Sequence, residues 1–132
     1  MILYIFGGVV LVAVACVLLA LFGRNLFKPH LEARNTDVVE RRWGDLLRLS
    51  DPHRRVLEAD SLLDFAFTSM GFRGSMGDKL KKAGKYLKNE QDVWNAHKLR
   101  NRIAHESGII LSERDATRAL DAFRKALDVF VR

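Results

Sequence analysis

Residues 98–106, Lys-Leu-Arg-Asn-Arg-Ile-Ala-His-Glu, have the side chains best suited to chemistry in this chain. Arg100, Asn101 and His105 interrupt an otherwise amphipathic helical pattern, and Gly108 can end that helix. A guanidinium holds a phosphate in fork geometry, an imidazole moves a proton near neutral pH, and an amide orients either group. These groups suffice for attack of an RNA 2′-hydroxyl on its neighbouring phosphate, a reaction that requires no metal.

The spacing of these residues limits how they can meet. In a continuous helix, Arg100 and His105 are separated by about 140°, because successive residues turn by about 100°. His97, Asn101 and His105 fall instead on one stripe of the helix. Arg100 and His105 therefore converge only if the helix ends between them, or if a second copy of the chain supplies one of the two. The second alternative predicts a homodimer.

Two helices are predicted before this stretch from apolar side chains at helical spacing. The first covers about residues 36–49. The second runs from Pro52 to about Met70, behind Asp51, because Asp is a good N-cap and Pro suits the first turn. The apolar stripe of the second helix is wide, which favours a central position or contact with a partner subunit.

A third, shorter helix is predicted over residues 79–88, with Asp78 as its N-cap. Its basic side chains can follow an RNA backbone or an anionic lipid surface, or simply form a solvated helix face. These side chains are Lys79, Lys81, Lys82, Lys85 and Lys88.

The last two predicted helices surround the polar stretch. The fourth opens at Asn89 or Glu90 and contains residues 98–106. The fifth begins at Ser112, where Ser112 and Asp115 have the spacing of a capping box. The sequence shows no convincing strand pattern, so we expect an all-α, four- to five-helix bundle over residues 36–132.

The N-terminal segment differs from the rest of the chain, because residues 1–22 contain no charged side chain. About 20 apolar residues are enough to cross a bilayer core as a helix. We therefore predict a transmembrane helix over residues 1–23 and a juxtamembrane tether over residues 24–35. Basic residues follow this segment and do not precede it, so the positive-inside rule predicts a single-pass protein of the cell membrane with a cytoplasmic C-terminal domain.

The composition indicates which partners and cofactors to expect. The chain has 22 Lys and Arg against 16 Asp and Glu, a formal net charge of +6, which favours RNA or an anionic membrane surface as a partner. The single Cys lies within the apolar segment, so the sequence predicts neither a disulfide framework nor a zinc site. No phosphate-binding loop follows the glycines of residues 71–77, and we expect no cofactor.

The motif Leu99-Arg100-Asn101-Arg102-Ile103-Ala104-His105 resembles the Arg-x4-6-His signature of the HEPN superfamily, including the asparagine that follows the arginine in many members. The loop and capped last helix after it are also similar. This resemblance implies a helical bundle, usually dimeric, and in many members a metal-independent RNase. By this resemblance, His105 is the acid/base group, Arg100 the phosphate or transition-state ligand, and Asn101 an orienting residue.

Two functional hypotheses follow. The first is a membrane-anchored, HEPN-like, metal-independent endoribonuclease. The second is a non-catalytic HEPN-like interaction module at the membrane, because other members of the superfamily bind partners or assemble without cleaving RNA. In the second hypothesis, Arg100, Asn101 and His105 hold the dimer or the last helical turn in place.

Overall fold

The structure is a computed structural model that describes the backbone of residues 1–26 and 28–131 and the side chains of residues 1, 7–19 and 28–131. This part of the chain contains helices and no strand, which confirms the predicted all-α class. The helices are α1 (Ile2–Leu26), α2 (Ala33–Leu47), α3 (Pro52–Ser69), α4 (Met76–Ala83), α5 (Glu90–His105) and α6 (Glu113–Asp128), with a short 3-10 turn (Gly84–Tyr86) between α4 and α5.

Local capping explains why α3 and α6 begin where the sequence predicts. Asp51 accepts a hydrogen bond of 2.9 Å from the backbone N–H of His53. At the start of α6, the hydroxyl of Ser112 accepts one of 3.1 Å from the backbone N–H of Asp115. Such caps satisfy donors that a helix leaves without a partner at its N-terminus.

The prediction that Asp78 caps the third helix of the domain is wrong. Ser75 is the N-cap of α4, and its hydroxyl accepts a hydrogen bond of 3.2 Å from the backbone N–H of Asp78. In return, the Asp78 carboxylate accepts one of 3.0 Å from the backbone N–H of Ser75, which completes a capping box. Ser and Asp are equally good caps, so local preference does not decide which of them takes the role.

The helix α2 begins at Ala33, inside the segment that the sequence assigned to the tether. The preceding residue, Glu32, makes no side-chain capping bond, so no local signal marks this start. The end of the predicted tether is therefore helical.

The helix α3 is central to the domain and contacts α2, α4, α5 and α6. Near its C-terminal end, the buried ring of Phe67 meets Phe72 and Phe130 edge-on, with centroid distances of 5.6 and 5.8 Å. The backbone N–H of Leu31 donates a hydrogen bond of 3.0 Å to the carbonyl oxygen of Phe130. The chain thus enters the domain beside the end of α6. We call this end of the domain, where residues 28–31, Phe72 and Phe130 meet, the tether end.

The helix α1 precedes the domain, and its described side chains, those of residues 7–19, are all exposed. Examples are Val9, Leu11 and Leu19, each more than half exposed. Among the described residues, no helix combines the length and the apolar character that crossing a membrane requires.

The central position of Phe67 leads to a prediction about stability. Because this ring is fully buried, Phe67→Ala leaves a cavity, and we expect the free energy of unfolding to fall by about 3–5 kcal/mol. Urea unfolding of the full chain in detergent measures this loss. The control is Leu47→Ala, at a position that is about half exposed, which should cost much less. Equal losses for the two variants would contradict the central role of the aromatic cluster.

Candidate functional site

The structure brings together two of the three residues predicted to act in chemistry. Arg100 and Asn101 are adjacent on α5, and Nη1 of Arg100 donates a hydrogen bond of 3.1 Å to Oδ1 of Asn101. His105 is the last residue of α5 and is exposed. Within the described part of the chain, its imidazole makes no hydrogen bond or ion pair. Because α5 is helical through His105, no unwinding brings His105 to Arg100 within this chain.

A buried carboxylate that the sequence analysis did not identify lies at the centre of the site. Asp60 of α3 is only 3% exposed. Its Oδ1 is 2.7 Å from Nδ1 of His97, and its Oδ2 is 3.3 Å from Nε of Arg100. One carboxylate of α3 therefore contacts two polar side chains of α5, which explains how a charge is tolerated at this depth.

Three hydrogen bonds and one ion pair connect the four side chains of this site in a ring. An ionised carboxylate only accepts, so Nδ1–H of His97 donates to Asp60 and Nε2 is left as an acceptor. The amide nitrogen of Asn101 lies 3.3 Å from that Nε2 and donates to it. Oδ1 of Asn101 in turn accepts from Arg100, whose charge faces Asp60. This network fits one orientation of the Asn101 amide.

The guanidinium of Arg100 faces the Asp60 carboxylate on one side and is partly exposed to solvent. Its Nε is buried and makes no hydrogen bond, although it lies 3.3 Å from Oδ2 of Asp60. The N–H is therefore not aimed at that oxygen, and the contact is an ion pair without a hydrogen bond. The side chain keeps 33% of its surface exposed. Arg100 can thus contact an anion outside the domain while Asp60 compensates its charge inside.

The sequence contains a signal that would have identified Asp60. It lies four residues after Val56 and three before Leu63, so it falls on the same buried stripe of α3 as these two residues. A carboxylate on an apolar stripe requires a buried partner, because an isolated charge is costly to remove from water. The identity of that partner could not be read from the spacing.

Lys79 does not belong to the lysine surface that the sequence predicts. This residue is buried, and its Nζ donates hydrogen bonds of 2.7 Å to Asp64 and 2.8 Å to Thr68. Lys79 therefore links α4 to α3 and does not face an external polyanion. The remaining members of the predicted set are exposed: Lys81, Lys82, Lys85 and Lys88.

One groove of the structure lies away from this ring of side chains. It has a volume of about 400 Å³ and lies between α5, α6 and residues 109–111. Its lining includes Leu99 and Arg102 but not Asp60, Arg100 or His105. The candidate site is thus an open surface of α5, which suits a long polymer better than a small enclosed ligand. Among the residues that the structure describes, no group of His, Cys, Asp and Glu side chains is arranged to hold a metal ion.

A second histidine fixes the loop that follows the motif. Nε2 of His53 is 2.8 Å from the carbonyl oxygen of Ile109, and Nδ1 is 3.2 Å from Oδ1 of Asp51. The hydrogen bond to Ile109 raises the pKa of His53 above 6.5, and the Asp51 carboxylate adds to this effect. The hydrogen bond from the backbone N–H of His53 lowers the pKa of Asp51 below 3.8. Since both ring nitrogens face acceptors, the doubly protonated ring satisfies both contacts.

The buried carboxylate provides the first test of this site. Asp60→Asn keeps the size of the side chain but removes the charge that compensates Arg100. We expect the free energy of unfolding to fall by about 3 kcal/mol, the lower end for breaking a buried pair, because Arg100 is one-third exposed. Urea unfolding of the full chain measures this loss. Glu106→Gln, which alters the exposed pair of α5 with Arg102, is the control and should cost less than about 1 kcal/mol.

The raised pKa of His53 predicts a pH dependence of stability. The stabilisation from its protonated ring is fully present below 6.5, the unfolded value, and is lost as the pH rises through the higher folded value. We expect wild type to exceed His53→Gln in stability at a pH below 6.5 by more than it does at alkaline pH. Denaturant midpoints of the two chains across this range measure the difference. A gap that stays constant or widens with rising pH would contradict the assignment.

Comparison with known proteins adds no relative: no family model matches the chain, and the searches of curated proteins and of solved structures returned no match.

Proposed function

We propose that this protein is a membrane-anchored, HEPN-like endoribonuclease that acts as a homodimer and needs no metal. One observation carries the proposal: Arg100 is positioned by a buried carboxylate yet keeps a third of its surface exposed, and the same helix ends in exposed His105. A phosphate ligand and a proton-transfer group therefore both reach solvent from one rigid element.

In this proposal, each side chain has a distinct role. Arg100 binds the phosphate and stabilises the charge that develops when the RNA 2′-oxygen attacks phosphorus. His105 accepts the proton of the 2′-hydroxyl as the bond from the 2′-oxygen to phosphorus forms, and returns a proton to the 5′-oxygen as its bond to phosphorus breaks, which leaves a 2′,3′-cyclic phosphate and a 5′-hydroxyl. General acid-base catalysis of this kind contributes about 10²–10⁴ in rate. Asn101, His97 and Asp60 are positioning residues, since they act through Arg100.

The geometry of α5 supports the proposed dimer. Arg100 and His105 are about 140° apart around the helix and about 7.5 Å apart along its axis, so one chain does not direct both at the same phosphate. A twofold dimer solves this by pairing Arg100 of one protomer with His105 of the partner subunit. Twofold symmetry then produces two equivalent sites.

The anchor is the second part of the proposal. Residues 1–23 insert into the cell membrane, residues 24–35 form the tether, and the domain over residues 36–132 faces the cytoplasm. Support comes from the 22 uncharged residues at the start of the chain and from the exposed apolar side chains of α1, such as Val10 and Leu11. Removing this apolar surface from water is favourable in proportion to its area.

One observation favours a second candidate function, a non-catalytic interaction module for protein or nucleic acid at the membrane. The ring of Asp60, His97, Asn101 and Arg100 joins α3 to α5 without any ligand. A purely structural role of the motif would produce the same contacts. The two functions differ in whether loss of His105 removes an activity.

An RNA cleavage assay tests the leading function. We expect the full chain in detergent to cut a labelled RNA in the presence of EDTA and to leave cyclic phosphate ends, identified by mass spectrometry. Arg100→Ala and His105→Ala should each slow cleavage by about 100-fold or more. Arg102→Ala is the matched control, because it removes an exposed arginine of the same helix and should cleave like wild type.

Mixing the two inactive chains tests whether the site is shared. When Arg100→Ala and His105→Ala chains exchange freely, half of the dimers are mixed and each has one intact site out of two, so activity should return to about a quarter of wild type. Failure to recover would place both groups in one chain. Intact RNA with the well-folded wild-type dimer would favour the interaction module instead, in which His105→Ala weakens the dimer or lowers its Tm.

A further inference from the structure

A basic surface surrounds the point where the chain enters the domain. We call it the tether-end basic surface and define it by four exposed residues, Lys28, Arg73, Lys82 and Lys85, with Lys81 and Lys88 beside them. It differs from the lysine set predicted from the sequence, because Lys79 is buried and two residues from outside the predicted helix join the surface.

Aromatic contacts place Lys28 and Lys85 at the same end of the domain. Nζ of Lys28 is 5.9 Å from the ring centroid of Phe130. The ring of Tyr86 packs edge-on against Phe130 with a centroid distance of 6.2 Å, and Nζ of Lys85 is 5.0 Å from the centroid of Tyr86. The two lysines thus lie beside one edge-on pair of rings, although 57 positions separate them in the chain.

The remaining two members are joined to this end through the loop before α4. Nζ of Lys82 donates a hydrogen bond of 2.8 Å to the carbonyl oxygen of Arg73. The neighbouring Phe72 contacts Phe67, which contacts Phe130. Arg73 and Lys82 therefore lie on the tether end as well.

Cations outnumber carboxylates on this surface. Among the ion pairs of the described residues, none includes Lys28, Arg73, Lys82 or their neighbours Lys81 and Lys88. Several cations elsewhere in the domain are paired with carboxylates, as in Arg55 with Glu113, Arg124 with Glu40 and Lys125 with Asp121. Residues 73–90 contain six Lys and Arg but two carboxylates, those of Asp78 and Glu90. Hydrogen bonds from Ser75, and then the charges of Lys81 and Lys82, lower the pKa of Asp78.

We propose that the tether-end basic surface binds anionic phospholipid head groups of the membrane that holds α1. This inference rests on the anchor in the proposed function. Lys28 follows the predicted membrane segment by five residues, a distance of at most about 17 Å even if the chain is fully extended. Basic residues so close to an anionic leaflet are attracted to it, each by a factor of about five in binding.

The position of the surface favours lipid over RNA. The helix α5 starts at Glu90, just after the tether-end segment, and its 16 residues extend about 24 Å to His105. An RNA held by the tether-end basic surface would lie far from the proposed catalytic group. Binding to the bilayer instead directs His105 away from the membrane, where RNA can reach it.

Hydrogen exchange of the full chain in vesicles tests this proposal. The vesicles contain either phosphatidylcholine alone or equal parts of phosphatidylcholine and phosphatidylglycerol. We expect backbone exchange in residues 71–75 and 84–88 to be at least about five-fold slower in the anionic vesicles, the factor for one basic contact. Molar salt should abolish the difference, because it shortens the screening length to about 3 Å.

A matched pair of triple variants identifies the surface. Lys82→Gln, Lys85→Gln and Lys88→Gln together should remove the slowing. The control combines Arg48→Gln, Arg54→Gln and Arg114→Gln, which change the net charge equally but lie at the end of α2, the start of α3 and the start of α6. These positions are opposite the tether end, so the control should keep the slowing.

The outcomes separate this inference from the proposed function. Flotation with neutral vesicles tests the anchor alone, and a chain that does not float overturns both the anchor and this inference. A chain that floats but exchanges equally in both vesicle types overturns the lipid contact only. Slowing by added polyadenylate in neutral vesicles, without slowing by anionic lipid, would assign the surface to RNA and overturn the inference. Loss or retention of RNA cleavage does not affect any of these conclusions.

Discussion

The carboxylate of Asp60 is the constraint on which the arrangement of this domain depends. It lies on the buried face of α3, where an ionised group is stable only with close partners. Both partners come from α5, since His97 donates a hydrogen bond to one oxygen and the Arg100 guanidinium faces the other. This requirement fixes the rotation of α5 about its own axis. The rotation in turn leaves Arg100 partly exposed and His105 fully on the surface.

The continuity of α5 explains why Arg100 and His105 do not meet within one chain. The helix is continuous from Glu90 to His105. Arg100 and His105 therefore point in different directions. His53 holds the following loop at Ile109, so the end of α5 is tied back to the start of α3. The domain supplies rigid supports for each group, and the proposed twofold pairing brings the two groups to one phosphate.

The basic residues of the chain serve three different purposes, which the net charge of +6 does not reveal. Some join helices, as Lys79 does with Asp64 and Arg124 with Glu40. Arg100 is compensated inside and open outside. Those at the tether end surround the place where the chain enters the domain. The proposed RNA and lipid contacts thus lie at opposite ends of α5, and one orientation of the domain can serve both.

The sequence by itself determined the all-α class, the starts of α3 and α6, and the angular separation within the motif. These features depend on contacts or turns within a few residues, as when Asp51 accepts from His53. Only the tertiary structure decided that Asp60 pairs with His97, 37 positions away, and that Lys79 is internal. The helical period shows which face a residue occupies. It does not show which side chain of another helix lies opposite, because that depends on how the helices pack.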